Sequence, residues 1–211
     1  MKVRKEIYLN IMMIVVVSFF GFMFEDIFLA ITHGFFDNRN MGLPFLLGYG
    51  VLVDIIYLIN GTPKDIRFLK KRINIENKYL KKVIYLLFAA LFVSVGEIML
   101  GVIVEKTCHV IWWNYTYIPL HITKYTSIPT SFGFGLLITV LMDYIFIPIY
   151  NYYDNWDMKI LEITSILIIS LLLIDYTKSI YYIYKNNRLK PIWRIYVDGS
   201  KPNIMPIKVV K

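Results

Sequence analysis

The chain has 211 residues, 57% of them hydrophobic and 17% aromatic, with a net charge of +8; its apolar residues come in long blocks and not in amphipathic stripes. That excludes an ordinary soluble domain and predicts an all-α, polytopic integral membrane protein. The basic residues flank the apolar blocks, where anionic lipid and not nucleic acid is their partner, and a single cysteine, Cys108, excludes a disulfide framework or a multi-cysteine metal site.

Lys2, Arg4 and Lys5 precede an apolar run that is longer than a signal-peptide core and has no small-x-small cleavage site. It predicts a first transmembrane helix over residues 7–31 with a cytoplasmic N-terminus. At about 1.5 Å of rise per residue, Glu25 and Asp26 lie near its outer end. A short polar loop with His33, Asp37, Asn38 and Arg39 leads to a second span over residues 42–60. Pro44, Gly48 and Gly50 crowd the first half of that span and predict a kinked or partly unwound outer end, which a membrane tolerates only where protein or water satisfies the freed backbone. Asp54 lies in its second half.

Residues 61–82 carry Lys64, Arg67, Lys70, Lys71, Arg72, Lys78, Lys81 and Lys82 against Asp65 and Glu76, the pattern of a cytoplasmic loop. A third span follows over residues 83–104, with Glu97 in its outer half. Residues 105–130 then form a polar extracytoplasmic segment between helices three and four, which includes Trp112, Trp113, Asn114 and Tyr115. Pro129 and Ser131 are start signals for a fourth span over residues 131–149, with Asp143 in its inner half. A fifth runs over residues 160–184, with Glu162 near its start, Asp175 and Lys178 later, and Tyr181, Tyr182 and Tyr184 as an interfacial belt. No internal repeat is present, so residues 1–184 read as one helical membrane domain followed by a basic C-terminal tail, 185–211. Five crossings from a cytoplasmic N-terminus put that tail outside. Its Lys185, Arg188, Lys190, Arg194, Lys201, Lys208 and Lys211 favour the inside, so the side of the tail stays open.

The spans hold Glu25, Asp26, Asp54, Glu97, Asp143 and Asp175, with Lys178 as the basic residue well within one of them. Ionisable groups in a membrane are costly enough to be functional candidates. An excess of acids suits protons, metal cations or a cationic substrate; protonated acids, or acids reached by water at an interface, are the plain alternative. The leading candidate is a polar cluster of Glu25, Arg39 and Glu97, at similar predicted depth on three segments, in which Arg39 offsets the burial cost of a carboxylate. Asn38, Asp54, Trp113, Asn114, His121 and Asp143 are secondary candidates. His33, His109 and His121 match no compact ligand spacing, so neither a metal nor a cofactor is expected. Trp112, Trp113 and Tyr115 read as interfacial anchors, and Cys108 beside His109 lacks the base geometry of a nucleophile. The chain has no G-x-x-x-x-G-K-S/T phosphate loop, so it is not itself an ATPase, and it has no G-x-S-x-G or H-E-x-x-H. No catalytic residue is assigned.

An ordered set of short motifs carries a resemblance. Glu25 is an acid in the first helix; Asn38 and Arg39 form a pair followed by Pro44, Phe45, Tyr49 and Gly50; Glu97 leads to Trp113, Tyr115, Pro119, Pro129, Ser131 and Gly135. Over about residues 15–150 this resembles the bacterial ABC-transporter permease family of CmpB-like proteins, which shares a superfamily with a eukaryotic transmembrane protein group. The chain departs from the pattern at Asn114, where the family has aspartate, and at His121 and Lys124-Tyr125, where it has asparagine and Gly-Arg. The E-A-A-x-x-x-G coupling loop of importer permeases is absent. The resemblance implies a multi-pass cell-membrane protein, a permease-like component without its own ATPase, with membrane lipids and a separate ATPase or other membrane subunit as partners. A non-transporting scaffold is the alternative. A membrane enzyme on lipid or envelope substrates, with Glu97 and His109 or His121 as acid and base, is a third.

Overall fold

Apolar blocks in this chain become helices whose large side chains stay exposed. In the computed structural model, which describes residues 2–69, 71–189 and 193–197, helix α1 spans Lys2–His33, α2 Leu47–Asn60, α3 Lys78–Cys108, α4 Ile128–Val140, α5 Ile147–Asp154 and α6 Met158–Asn186; a π-helical turn, Leu141–Phe146, joins α4 to α5. Short strands lie between them: β1 Phe35–Asp37, β2 Gly61–Thr62, β3 Asp65–Phe68, β4 Lys71–Arg72, β5 His121–Thr123, β6 Thr126–Ser127 and β7 Arg194–Tyr196. Lys70, Lys190, Lys201, Lys208 and Lys211 lie outside the described residues, as does the side chain of Lys2.

Three helical runs, Val3–His33, Lys78–Cys108 and Ile128–Asp154, are long and apolar enough to cross a membrane. At about 1.5 Å per residue each exceeds the ~30 Å hydrocarbon core. Their surfaces agree: Phe19, Met23 and Ile27 on α1 and Leu87, Leu91 and Val95 on α3 recur at four-residue spacing and are exposed, a stripe that lipid covers at no cost in hydrophobic free energy.

The boundaries depart from the predicted spans for local reasons. α3 takes in Lys78, Lys81 and Lys82, which the sequence places in a loop, because the Asn77 side chain caps it, accepting from the amides of Tyr79 (2.9 Å) and Leu80 (3.2 Å). α4 begins before residue 131, at Ile128: Ser127 and Thr130 form a reciprocal capping box and Pro129 occupies the first turn. The π turn ends two residues before Pro148, and the widened turn makes room for a ring that clashes with an ordinary α-helical carbonyl. Residues 42–46 are not helical, as Pro44 predicts, whereas Gly48 and Gly50 lie within the first turn of α2. The chain is mostly helical, as expected, and the connections add short strands: β2, β3 and β4 form a three-stranded sheet in that order and β5 pairs with β6.

The chain divides into two compact units. The first gathers Met1–Gly50, Val104–Trp112 and the described part of Lys159–Lys211. Phe22, Met41 and Leu46 are buried at its core, with Tyr49, Trp112 and Tyr176 packed against them. Here α1 and α6 run in the same direction: Arg4 and Tyr8 near the start of α1 bond to Glu162 near the start of α6, and β1 beyond α1 pairs antiparallel with β7 beyond α6. That pairing settles where the described tail lies. It sits beside the loop after α1, at the opposite end of α1 from the N-terminus. Gly50 lets the start of α2 approach α1, since a Cβ there would fall 2.2 Å from the Ile14 carbonyl oxygen.

The second unit holds Val51–Ile103 and Trp113–Met158. α3 lies between α2 and α4 in antiparallel fashion: Tyr85 near its start donates to the carbonyl of Gly61, the first residue after α2 (3.0 Å), and Ser94 in its second half meets Ser131 at the start of α4 (2.8 Å). Gly61, at φ 70°, turns the chain from α2 into β2.

Candidate functional site

In the first unit the tight turn after β1 builds a charged cluster. Arg39 and Asn40 both occupy the left-handed region, at φ 50° and 65°, which non-glycine residues adopt only when their surroundings hold them there. Asn38, buried to 2% exposure, supplies part of that hold: its side-chain amide donates to the Met41 carbonyl (2.5 Å) and its carbonyl oxygen accepts from the Trp193 amide (3.5 Å). Asp37 closes the rest by accepting from the Arg39 amide (2.9 Å).

The turn aims Arg39 back at α1. Its Nη2 donates to Glu25 Oε1, and Tyr49 at the start of α2 donates to Glu25 Oε2 (2.8 Å). The second guanidinium nitrogen, Nη1, lies 3.8 Å from Asp37 Oδ1, while Arg194 on β7 reaches Asp37 Oδ2 at 2.9 Å and stacks over the Phe35 ring at 4.0 Å. Asp26, buried beside Glu25, accepts from the Asp37 amide (3.3 Å). Two carboxylates, Glu25 and Asp37, therefore share two arginines, and Asp26 joins them through the Asp37 backbone. Burial works against the charge on Arg39, but Glu25 and Asp37 outweigh it and hold its pKa above the ordinary arginine value. The Nε–H groups of Arg39 and Arg194 and Oδ1 of Asn40 are buried and meet no protein partner among the described residues, so the cluster retains donors and an acceptor for a polar ligand.

Glu97 belongs to the second unit, half-buried on α3. Thr126 donates to its Oε2 (2.6 Å), the Thr126 and Ser131 hydroxyls are 2.9 Å apart, and Ser94 donates to Ser131 (2.8 Å). Thr126, Ser127 and Ser131 are all buried. This places a carboxylate at the capped N-terminus of α4, where the helix dipole favours negative charge.

The other candidates separate. Trp113 donates from Nε1 to the Tyr125 carbonyl (2.8 Å) and fixes the polar segment to the β5–β6 hairpin. Asn114 is exposed and accepts from the Thr116 amide (3.0 Å), a local turn. His121 is exposed, its Nδ1 3.2 Å from the Ile118 carbonyl. Asp143, buried in the π turn, pairs with Lys82 (2.6 Å) and lies 3.7 Å from Lys64. Asp54 is buried and its Oδ1 has no partner among the described residues. Among those residues no group of three or more histidines, cysteines and acids is arranged to hold a metal.

Asp37 and Arg194 are the cluster members that sequence reading misses. Arg194 is far away in the chain and looks like any tail cation; only the β1–β7 register brings it to Asp37. Tyr49 and Ser131 were visible as motif positions, and Thr126 carried no signal beyond being polar.

No curated protein and no solved structure matches the chain. A family model described as "Putative ABC-transporter type IV" matches residues 12–180, a range that contains Glu25, Asp37, Arg39, Tyr49 and Glu97. By that match over most of its length, the chain belongs to this CmpB-like, ABC-transporter-related family.

Proposed function

We propose that the protein is a permease-like membrane component that depends on a separate ATPase and engages its substrate at the Glu25–Arg39–Tyr49 cluster. The observation that carries this reading is the arginine held in a left-handed turn and aimed at a carboxylate on a membrane-length helix. Strained backbone, burial and charge are concentrated there beyond what joining two helices requires. Two features support a role in transport. The chain before α2 is unwound between residues 42 and 46, and broken helices beside polar groups are how membrane proteins expose backbone to a ligand. The buried, unshared Nε–H groups of the arginines suit a ligand that brings its own acceptor.

In this reading α2 and α6 cross as well, which makes five spans, with the N-terminus in the cytoplasm and the cluster on the far side. α6 has 29 residues and is exposed at Ile163, Ile166, Leu167, Leu171 and Ile174; α2, with 14 residues, needs the unwound segment to complete its passage. Glu97 joins the functional set as a second acid under the same reading. Affinity purification from native membranes tests it. Co-purification of an ATPase whose hydrolysis falls when Glu25 or Glu97 is replaced by glutamine, with the protein still inserted, is the expected result. An unaltered hydrolysis rate in both variants overturns it.

A second reading is favoured by one observation, the closure of Arg194 and β7 over Asp37 and β1. If the cluster is a clamp in a non-transporting scaffold, Arg194→Ala lowers thermal stability and no ATPase co-purifies.

A further inference from the structure

The β2–β3–β4 sheet precedes α3, and two exposed apolar residues stand near the tip of its second hairpin. β3 and β4 are joined through positions 69 and 70, with Phe68 paired to Lys71 and Arg67 to Arg72. Phe68 and Leu69 at that tip are 51% and 59% exposed, whereas Ile66 on the same strand is buried. An exposed Phe-Leu pair at the end of a hairpin is wasteful in water. It is also held in place. The Leu69 amide donates to the Ile59 carbonyl at the end of α2 (2.8 Å), and the Phe68 ring stacks on Phe88 of α3 with centroids 6.4 Å apart and planes at 24°.

The Phe88 contact sets a depth. Phe88 follows Lys82 on α3, and the intervening turn and a half put it about 9 Å further along the helix. Lys82 and Lys64 are tied to Asp143 and to the Tyr144 ring, at 5.1 and 5.9 Å, which marks the lysine level. Phe68 therefore lies below that level, within the ~5–10 Å to which interfacial apolar groups sink at the headgroup–acyl boundary. The flanks carry the matching charge. Lys71 and Arg72 are exposed, and Arg72 pairs with the half-exposed Asp65 (2.6 Å), a contact that a phosphate oxygen can replace.

We propose that this hairpin is a binding site for anionic lipid headgroups: Phe68 and Leu69 enter the acyl layer while Lys71 and Arg72 hold the phosphate, with Asp65 competing for Arg72. The proposal rests on α3 crossing the membrane and is independent of transport or of any ATPase. It selects lipid over a protein partner because exposed Phe68 and Leu69 lie beside a helix of membrane-spanning length, with exposed Lys71 and Arg72 on the adjoining strand.

The test is Leu69→Cys, labelled with bimane and reconstituted in phosphatidylcholine vesicles that contain brominated phosphatidylcholine or brominated phosphatidylglycerol; the wild-type, whose Cys108 is 1% exposed, is the labelling control. Quenching by both lipids, stronger at equal mole fraction for phosphatidylglycerol, is expected. Adding Lys71→Gln and Arg72→Gln should lower the apparent preference for phosphatidylglycerol by roughly thirtyfold, from the typical worth of two basic residues at a membrane surface. Asp65→Asn should raise it. Absence of quenching by either lipid shows the tip in water or under protein and overturns the proposal, as does equal quenching by the two.

Discussion

Arg39 combines three costs at one residue: a left-handed backbone, burial and a charge. Each is offset by a particular neighbour, the backbone by Asn38 and Asp37 and the charge by Glu25 and Asp37. The guanidinium is required because a lysine cannot present two separated donors in a fixed plane to Glu25 and Asp37 together. Glu25→Gln leaves the arginine without its main counter-charge. Both side chains keep 18% exposure, so the loss falls below that of a fully buried pair, at roughly 2–3 kcal/mol against the ~3–5 typical there. Arg39→Lys should recover only part of the wild-type stability. Reversible unfolding in detergent micelles measures both, and equal stability of Arg39→Lys and wild-type would show that the fork geometry is idle.

At the scale of elements, the unwound stretch before α2 is stabilised from α6. The Asp175 carboxylate accepts from the amides of Gly42 (3.0 and 3.1 Å) and Leu43 (3.0 Å), donors that a broken helix leaves open. Asp175→Ala should cost about 1–3 kcal/mol by leaving those amides without an acceptor. Asp175→Asn keeps one acceptor oxygen and should restore about half of that, a difference visible as faster amide exchange at Gly42 and Leu43 in the alanine variant. α4 is fixed in a different way. Its start depends on the Ser127–Thr130 capping box, and Ser127 is fully buried, so Ser127→Ala should lower stability by about 1–2 kcal/mol. A loss well under that, from thermal melts of purified protein, would mean the start of α4 is held by packing instead.

For the whole molecule, the neighbours within each unit agree with alternate crossings. α1 and α6 run in the same direction in the first unit, while α2, α3 and α4 alternate in the second. On the five-span proposal, an odd number of crossings separates the N-terminus from β7. Single cysteines at Lys5 and Val197 should react with a membrane-impermeant maleimide from opposite sides of intact cells or inverted vesicles. Labelling of both from one side would require an even number of crossings. Arg194 of the positive tail pairs with Asp37, so under that proposal its charge weighs less against an outer position.

Much of this was legible beforehand. Long apolar blocks, basic flanks and the Pro-Gly interruption before α2 have local physical causes, so the helices, their approximate limits and the unwound segment followed from residue order alone. Glu25 and Arg39 were also legible as partners, because an acid near a helix end and an arginine in the short loop after it have few other ways to balance their charges. Tertiary structure alone decided the rest. The pairing of β1 with β7 brings Arg194 to Asp37 and fixes the place of the described tail; Thr126 bonds Glu97 because a hairpin returns to the start of α4; Lys82 reaches Asp143 because the π turn presents it to α3. Each joins residues distant in the chain through backbone pairing or helix packing, and neither residue type nor spacing encodes that choice of partner.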